Sequence, residues 1–350
     1  MMKNELNKSN QDQVNGKGAK IFVVSFAVAT LFIIILTIYL TAPGVFTLDY
    51  FRTDNIPTKE WVPKDVEMEL ASGTMPEAVE YGYRLLVETP KYLGPQAIDP
   101  EMRFSGNNLS CASCHLKAGN QAGSASWAGV TERFPAFGGR SNSIGTIEDR
   151  INGCLERSMN GRKVEIESEE MKAMVAYMEW LAEDMPEDKM DYYTGFTDLK
   201  IPDVAVDLDY GKQIYGVHCV ACHQQDGLGI KNPDFSLGYL FPPISGEDSY
   251  NDGAGMHRVL TAAAFIKANM PSEIASKENP VLTDEEAYHV AGYINSLKRP
   301  AKNNKEADFP DRKLKPVSTP YGPWKMTFQQ NNINMGHSHQ SSTSIKINTA

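Results

Sequence analysis

The chain has 350 residues, 41% of them hydrophobic, which is enough for about two domains of roughly 100–200 residues with buried cores. Its formal charge of −10, with no basic stripe or arm beyond the N-terminal region, excludes a nucleic-acid binder. Five cysteines are an odd number, so they cannot all pair into a disulfide framework.

Residues 1–20 carry Lys3, Lys8, Lys17 and Lys20, and the 21 residues from Ile21 to Thr41 hold no charge. At ~1.5 Å per residue, a helix of that length spans the ~30 Å hydrocarbon core, so residues 21–41 read as a transmembrane anchor. Only Arg52 and Lys59 follow closely. The positive-inside rule then puts the N-terminus in the cytoplasm and the bulk of the chain on the periplasmic side of the cytoplasmic membrane, as a single-pass protein. A cleaved signal peptide would instead show an apolar core of ~7–15 residues and an Ala-x-Ala-like site, and neither is visible. Residues 42–70, with Pro43, Pro57 and Pro63 and no hydrophobic period, read as a tether.

Two segments follow, 71–200 and 201–300, and they repeat weakly. Tyr81-Gly82 marks a helix ahead of Cys111-Ala-Ser-Cys114-His115, and Tyr210-Gly211 marks one ahead of Cys219-Val-Ala-Cys222-His223. Both motifs are C-x-x-C-H, in which the two thiols add to the vinyl groups of a c-type haem and the histidine binds its iron. A redox-active thiol pair of the thioredoxin kind would need a βαβ pattern nearby, and none is visible. Amphipathic helices close both segments. Met171, Met174, Val175, Met178 and Leu181 form the apolar stripe of the first; Ala287, Val290, Ala291, Ile294 and Leu297 form that of the second. Aligning Tyr177 with Tyr293 also aligns Leu181 with Leu297. Thr283 and Glu286 make a capping box for the last helix. The expected fold is all-α: two tandem cytochrome c-like domains behind an N-terminal transmembrane helix.

A six-coordinate c-type haem needs a second axial ligand. For the second haem the candidate is Met270, which follows a predicted helix over 259–267 and precedes Pro271, where the helix must stop and a loop can present the sulfur; Met256 is the alternative. The first segment has no comparable Met-Pro. It does hold the fifth cysteine, Cys154, in a helix predicted to start at Thr146 with Asp149 three residues on and to stop at Asn160-Gly161. At ~100° per residue, Arg150, Cys154 and Ser158 share one face, with Arg157 beside them. A thiol among arginines ionises easily and a thiolate binds iron well. A small buried hydrophobe is the other reading of Cys154. After Pro300 the composition turns polar and proline-rich, and residues 329–350 read as a disordered tail in which His337 and His339 are solvated.

The stretches Asn107-Asn-Leu-Ser-Cys-Ala-Ser-Cys-His-Leu-Lys-Ala-Gly119, Arg133-Phe-Pro135, Arg140 and Ile147-Glu-Asp-Arg-Ile-Asn-Gly-Cys-Leu-Glu-Arg-Ser-Met-Asn-Gly161 together resemble the dihaem thiosulfate dehydrogenases, also called tetrathionate synthases. Phe241-Pro-Pro243, Asp252-Gly-Ala-Gly-Met256 and Ala264-Phe-Ile-Lys-Ala-Asn-Met-Pro271 resemble their second domain, and the likeness runs from about Tyr81 to Trp324. It implies a first, catalytic haem bound by His115 and Cys154, with Arg140, Arg150 and Ser158 matching the family's site arginines and serine. It also implies a second, electron-transferring haem bound by His223 and Met270. Some members carry lysine where this chain has Asn269; an amide is a poor substitute for Met270, so no exchange of that ligand is expected. Where members carry a tryptophan, this chain has Ser245.

The implied reaction joins two thiosulfate dianions into tetrathionate with release of two electrons. Like charges at contact repel by several kcal/mol at an effective dielectric of ~20, so the site needs fixed cations. Arg140 and Arg150 fit that need through forked donors to a sulfonate, although neutralising haem propionates is the ordinary task of cytochrome arginines. Electrons would pass to or from a small redox protein or the respiratory chain. A non-catalytic dihaem electron-transfer module, and a relative of the Sox cytochromes acting on a sulfur-carrier protein, are the competing readings. The intact second haem motif, with an electron exit of its own, disfavours the latter.

Overall fold

The computed structural model describes residues 26–37 and 61–321. Residues 26–37 form a helix with its large apolar side chains exposed, in a unit separate from the body that begins at Trp61. The rest of the 21–41 segment lies outside the described residues, and no described helix is long and apolar enough to cross a membrane.

The body is helix-rich and holds two cores. In the first, α1 (Val66–Ser72) is capped by Asp65 and ended by Gly73, and α2 (Glu77–Val87) packs on α4 (Glu169–Leu181). Between them lie the first haem motif and α3 (Ile147–Arg157). In the second, α5 (Leu208–His218), α6 (Val259–Asn269) and α7 (Asp284–Ser296) pack together. The sheet content is small: β1 (Ala136–Gly138) pairs antiparallel with β2 (Ser143–Gly145), and β3 (Ile230–Lys231) with β4 (Tyr239–Phe241). The methionine stripe of α4 is core, since Met171, Met174 and Met178 are buried around Tyr177 and Leu181. The segment read as a tether contributes to this core at its end, because Val66 is buried there and the Trp61 indole donates to the Glu183 carbonyl at 3.0 Å.

The weak repeat has a steric cause. A Cβ on Gly82 would stand 1.9 Å from the Ala173 carbonyl oxygen and 2.9 Å from Tyr177 Cβ; one on Gly211 would stand 2.2 Å from the His289 carbonyl oxygen and 2.9 Å from Tyr293 Cβ. Each domain therefore crosses its first and last helices at a glycine against equivalent positions of the partner helix, and the alignment of Tyr177 with Tyr293 marks the same contact. Glycine here permits backbone approach rather than flexibility. Gly216, in the same helix as Gly211, faces open space. Gly211→Ala is expected to lower stability by ~1–3 kcal/mol through overpacking, whereas Gly216→Ala should raise it by up to ~1 kcal/mol through helix propensity. Urea midpoints of the two holoproteins check the opposite signs.

The two helical domains are joined by side-chain to main-chain hydrogen bonds. Asn107 Nδ2 donates to the Ser158 carbonyl at 2.9 Å and to the Ser249 carbonyl at 3.3 Å, Asn160 Nδ2 to Ser249 at 2.8 Å, and Asn251 Nδ2 to Glu156 at 3.0 Å. Buried amides of this kind are costly unless paired, so the docking is specific in register. The polar stretch after Pro300 also folds back. Asp308, Phe309, Ser318, Thr319 and Tyr321 are buried, and the Phe309 amide donates to the Arg140 carbonyl at 2.8 Å.

Candidate active site

Thr146 and Asp149 close a reciprocal capping box at the start of α3, which sets the rotation of the helix. As a result Arg150, Gly153, Cys154, Arg157 and Ser158 face one cavity of about 720 Å3, a size suited to a cofactor with a small substrate. Cys114 and His115 form another part of its wall. The turn of the β1–β2 hairpin brings in Arg140, the second cytochrome domain brings in Met256 and Arg258, and the C-terminal stretch brings in Asp308 and Phe309.

The His115 ring lies against Trp127, with centroids 5.0 Å apart, and its Nδ1 is 2.7 Å from the Ala125 carbonyl. That bond fixes the ring and directs Nε2 to the remaining side, the arrangement usual for a metal-binding histidine. Arg150 Nη1 donates to Cys154 Sγ at 3.0 Å. Desolvation alone would raise the Cys154 thiol. The charge of Arg150, the hydrogen bond and charge of His115 and the hydrogen bond from Arg150 outweigh it and bring the group down to about 6. The contrast with the motif cysteines is large, since burial pushes Cys111 up to about 11 and both Cys114 and Cys219 up to about 12. Cys154 is thus set apart from the cysteines that form thioethers, as a ready thiolate donor.

The arginines divide by partner. Arg157 forms a two-pronged pair with Asp308, at 2.8 and 2.7 Å, and also donates to the Gly253 carbonyl at 3.3 Å. Its role is to tie α3, the second domain and the C-terminal stretch together. Arg140 is held loosely, with Nε 3.8 Å from the same carboxylate and its guanidinium 5.8 Å from the Phe309 ring centroid. Burial brings Arg140 down to about 10, which leaves it charged at neutral pH. Ser158 lines the cavity at the end of α3, its amide donating to the Cys154 carbonyl at 2.8 Å.

In the second domain the His223 Nδ1 is 2.9 Å from the Pro242 carbonyl, and burial lowers the imidazole, favouring the neutral form that binds metal. Met270 ends α6 in extended backbone and packs, half-buried, on the same core as Cys219. Met256, the alternative, packs there too but also lines the first cavity. Asn269 is buried and fully engaged: Nδ2 donates to the Gly123 and Phe265 carbonyls at 2.9 and 2.8 Å, and Oδ1 accepts from Gln121 at 2.7 Å. Ser245 is buried and donates to the Asp226 carbonyl. Asn295 Nδ2 and Arg299 Nε and Nη1 are buried without acceptors among the described residues. The carboxylates of a haem are acceptors of the kind such donors need. The thiol pairs, fixed histidines, cavity and unpaired donors all fit two c-type haems.

Reading the sequence missed Arg258 and the stretch carrying Asp308 and Phe309. Arg258 stands two residues after the Asp252–Met256 motif, the one available hint. Asp308-Phe309 lies in a polar, proline-rich stretch without periodicity and carried no signal.

Comparison with known proteins agrees with this geometry. Residues 102–186 match the family model described as SoxA/TsdA, cytochrome c domain, and residues 208–298 match that described as Cytochrome c. The chain is 37% identical over 271 residues to the thiosulfate dehydrogenase of Psychrobacter arcticus, covering 77% of this chain and 76% of that protein. It is 37% identical over 235 residues to that of Allochromatium vinosum, covering 66% of this chain and 82% of the other. Among solved structures, a thiosulfate dehydrogenase (TsdBA) from Marichromatium purpuratum, in its as-isolated form, superposes with a TM-score of 0.60 at 33% identity over 70% of this chain. The present chain spans half the length of that one. Two cytochrome c domains with a C-x-x-C-H motif in each, and relatives of this identity and coverage, make the chain a member of the dihaem thiosulfate dehydrogenase family of enzymes, with two covalently bound c-type haems.

Proposed function

We propose that the chain interconverts thiosulfate and tetrathionate at the first haem site, where His115 and Cys154 would hold the iron, and that a second haem, which His223 and Met270 would hold, relays the electrons. The observation that carries this reading is the Arg150 to Cys154 hydrogen bond of 3.0 Å inside a cavity that also receives His115, Arg140 and Ser158. In the oxidative direction two thiosulfate dianions become one tetrathionate dianion and two electrons. The haems, when bound, accept those electrons one at a time. Arg140 and Arg150 offset the repulsion between the dianions and orient their sulfonates outward, so that the two sulfane sulfurs meet. Arg150 keeps Cys154 ionised, and the Ser158 hydroxyl, from the cavity wall, would donate to bound anion. Phe309, buried beside Arg140, keeps water from one side of that charge, which strengthens it.

Mixing the oxidised holoprotein with thiosulfate alone tests this proposal. Rapid bleaching of the oxidised haem bands with tetrathionate as product is expected. Haems that stay oxidised under thiosulfate yet are reduced by ascorbate and reoxidised by ferricyanide would instead make the chain an electron-transfer module.

For the second haem, the oxidised protein should show the weak sulfur-to-iron band at the red edge of the visible spectrum, and Met270→Ala should remove it. Survival of the band would transfer the role to Met256 or another donor. We further propose that the N-terminal segment anchors the chain in the cytoplasmic membrane with the haem domains on the periplasmic side, handing electrons to a small redox protein or the respiratory chain. The exposed apolar surface of residues 26–37 supports this, because apolar surface of that extent needs a cover. Full-length protein should resist carbonate extraction from membranes, and its recovery in the soluble fraction would dismiss the anchor.

A further inference from the structure

The cavity beside Cys154 is lined by five basic and three acidic side chains, in a chain whose net charge is −10. Two of the acids are engaged: Asp149 accepts from the Thr146 amide in the helix cap and Asp308 is held by both prongs of Arg157, while Glu156 precedes Arg157 on α3. Arg150 is directed at sulfur, and Arg140 makes the loose 3.8 Å contact to Asp308 and lies by the Phe309 ring. Arg258 is the remaining guanidinium. It comes from the second cytochrome domain, immediately before α6, and lines the cavity. Its Nε is buried with no hydrogen-bond partner among the described residues. Burial lowers it, Tyr321 offsets part of that and Arg150 lowers it again, while Arg140 in turn feels Arg258, so the three cations share one electrostatic neighbourhood.

Leaving a buried guanidinium nitrogen unpaired beside two other cations is unfavourable unless an acceptor occupies the space between them. Two substrate dianions bring more charge than Arg140 and Arg150 can balance. We infer that Arg258 is a third substrate-binding cation, donated across the domain boundary, so that the anion site of the first haem domain is complete only when the second domain is docked on it. This deepens the proposed function and rests on it. Arg140 and Arg150 serve the sulfonate nearer α3, and Arg258 serves the sulfonate of the second half of tetrathionate. The interdomain amides of Asn107, Asn160 and Asn251 hold Arg258 in place by fixing the register of the two domains. The opposing assignment is that Arg258 neutralises a propionate of the first haem.

The test uses the full-length holoprotein, wild type and Arg258→Gln, with haem content matched. Calorimetric binding of tetrathionate to the fully oxidised protein, which has no electrons to deliver, should weaken about tenfold or more, the size of one lost charge-assisted hydrogen bond. Spectroelectrochemical midpoint potentials of both haems should not move. Arg258→Lys should recover part of the affinity, which a variant that merely disturbs folding would not allow. Unchanged tetrathionate affinity overturns the inference whatever happens to the potentials, and a shifted first-haem potential in that case assigns Arg258 to a propionate. Because the binding measurement needs no turnover, a wild type that binds tetrathionate through Arg258 yet fails to oxidise thiosulfate would refute the proposed reaction and leave this inference standing.

Discussion

Replacing Cys154 with alanine is expected to abolish thiosulfate turnover while both haems remain covalently attached, since the attachment cysteines Cys111, Cys114, Cys219 and Cys222 are untouched. Cys154 combines three properties that alanine cannot supply. It lies on the α3 face that forms the cavity wall, it accepts a hydrogen bond from Arg150 at 3.0 Å, and Arg150 and His115 outweigh desolvation to hold it near 6. Cys154→Met separates ligation from chemistry, because a thioether binds iron but carries no charge. That variant should keep a low-spin first haem at a higher potential and still lose nearly all activity. Electron paramagnetic resonance of the oxidised wild type should contain a thiolate-type low-spin signal beside the His/Met one. A fully active Cys154→Ala protein showing only His/Met-type signals would refute both the ligand assignment and the role in turnover.

Neutral replacement of Arg140 or Arg150 should each remove ~2–4 kcal/mol of transition-state stabilisation, the size seen when one preorganised donor is lost, read from kcat/KM for thiosulfate. The two should differ in kind. Arg150→Gln removes both an anion donor and the hydrogen bond that keeps Cys154 ionised, so it should lower kcat as well as raise KM. Arg140, held by the loose 3.8 Å contact to Asp308 beside the Phe309 ring, makes no hydrogen bond to Cys154, so Arg140→Gln should act mainly on KM. Acting on one dianion pair, the double variant should lose less than the sum of the singles. Near wild-type kcat/KM in either single variant would return that arginine to haem propionates. Arg157→Gln should behave differently again, destabilising the C-terminal stretch that holds Asp308 rather than lowering substrate affinity alone.

Local chemistry was legible without coordinates. The C-x-x-C-H motifs announce their haems because attachment needs two thiols and a histidine at fixed spacing on one chain segment. The capping boxes at Thr146 and Thr283 form as their spacing requires, because a cap is made by residues three apart. The face shared by Arg150, Cys154 and Ser158 follows from helical geometry alone, as does the burial of Met171, Met174 and Met178. Tyr81-Gly82 and Tyr210-Gly211 were visible as a repeat, but their meaning as helix-crossing points needed the partner helices.

What surrounds Cys154 was decided only by tertiary structure. Arg258 arrives from the second domain, and Asp308 and Phe309 arrive from a proline-rich stretch with no period of its own; residues so far apart in the chain leave no shared pattern to read. The division among the arginines is partly of the same origin: Arg150 reaches Cys154 one turn along its own helix, whereas Arg157, at the end of that helix, takes its partner Asp308 from a stretch 151 residues further along the chain. The sequence by itself therefore determined where the two haems attach and which residues share the α3 face, through short-range covalent and helical geometry. The folded chain decided which charges surround them, because electrostatic environment is a property of distance in space and not of distance along the chain.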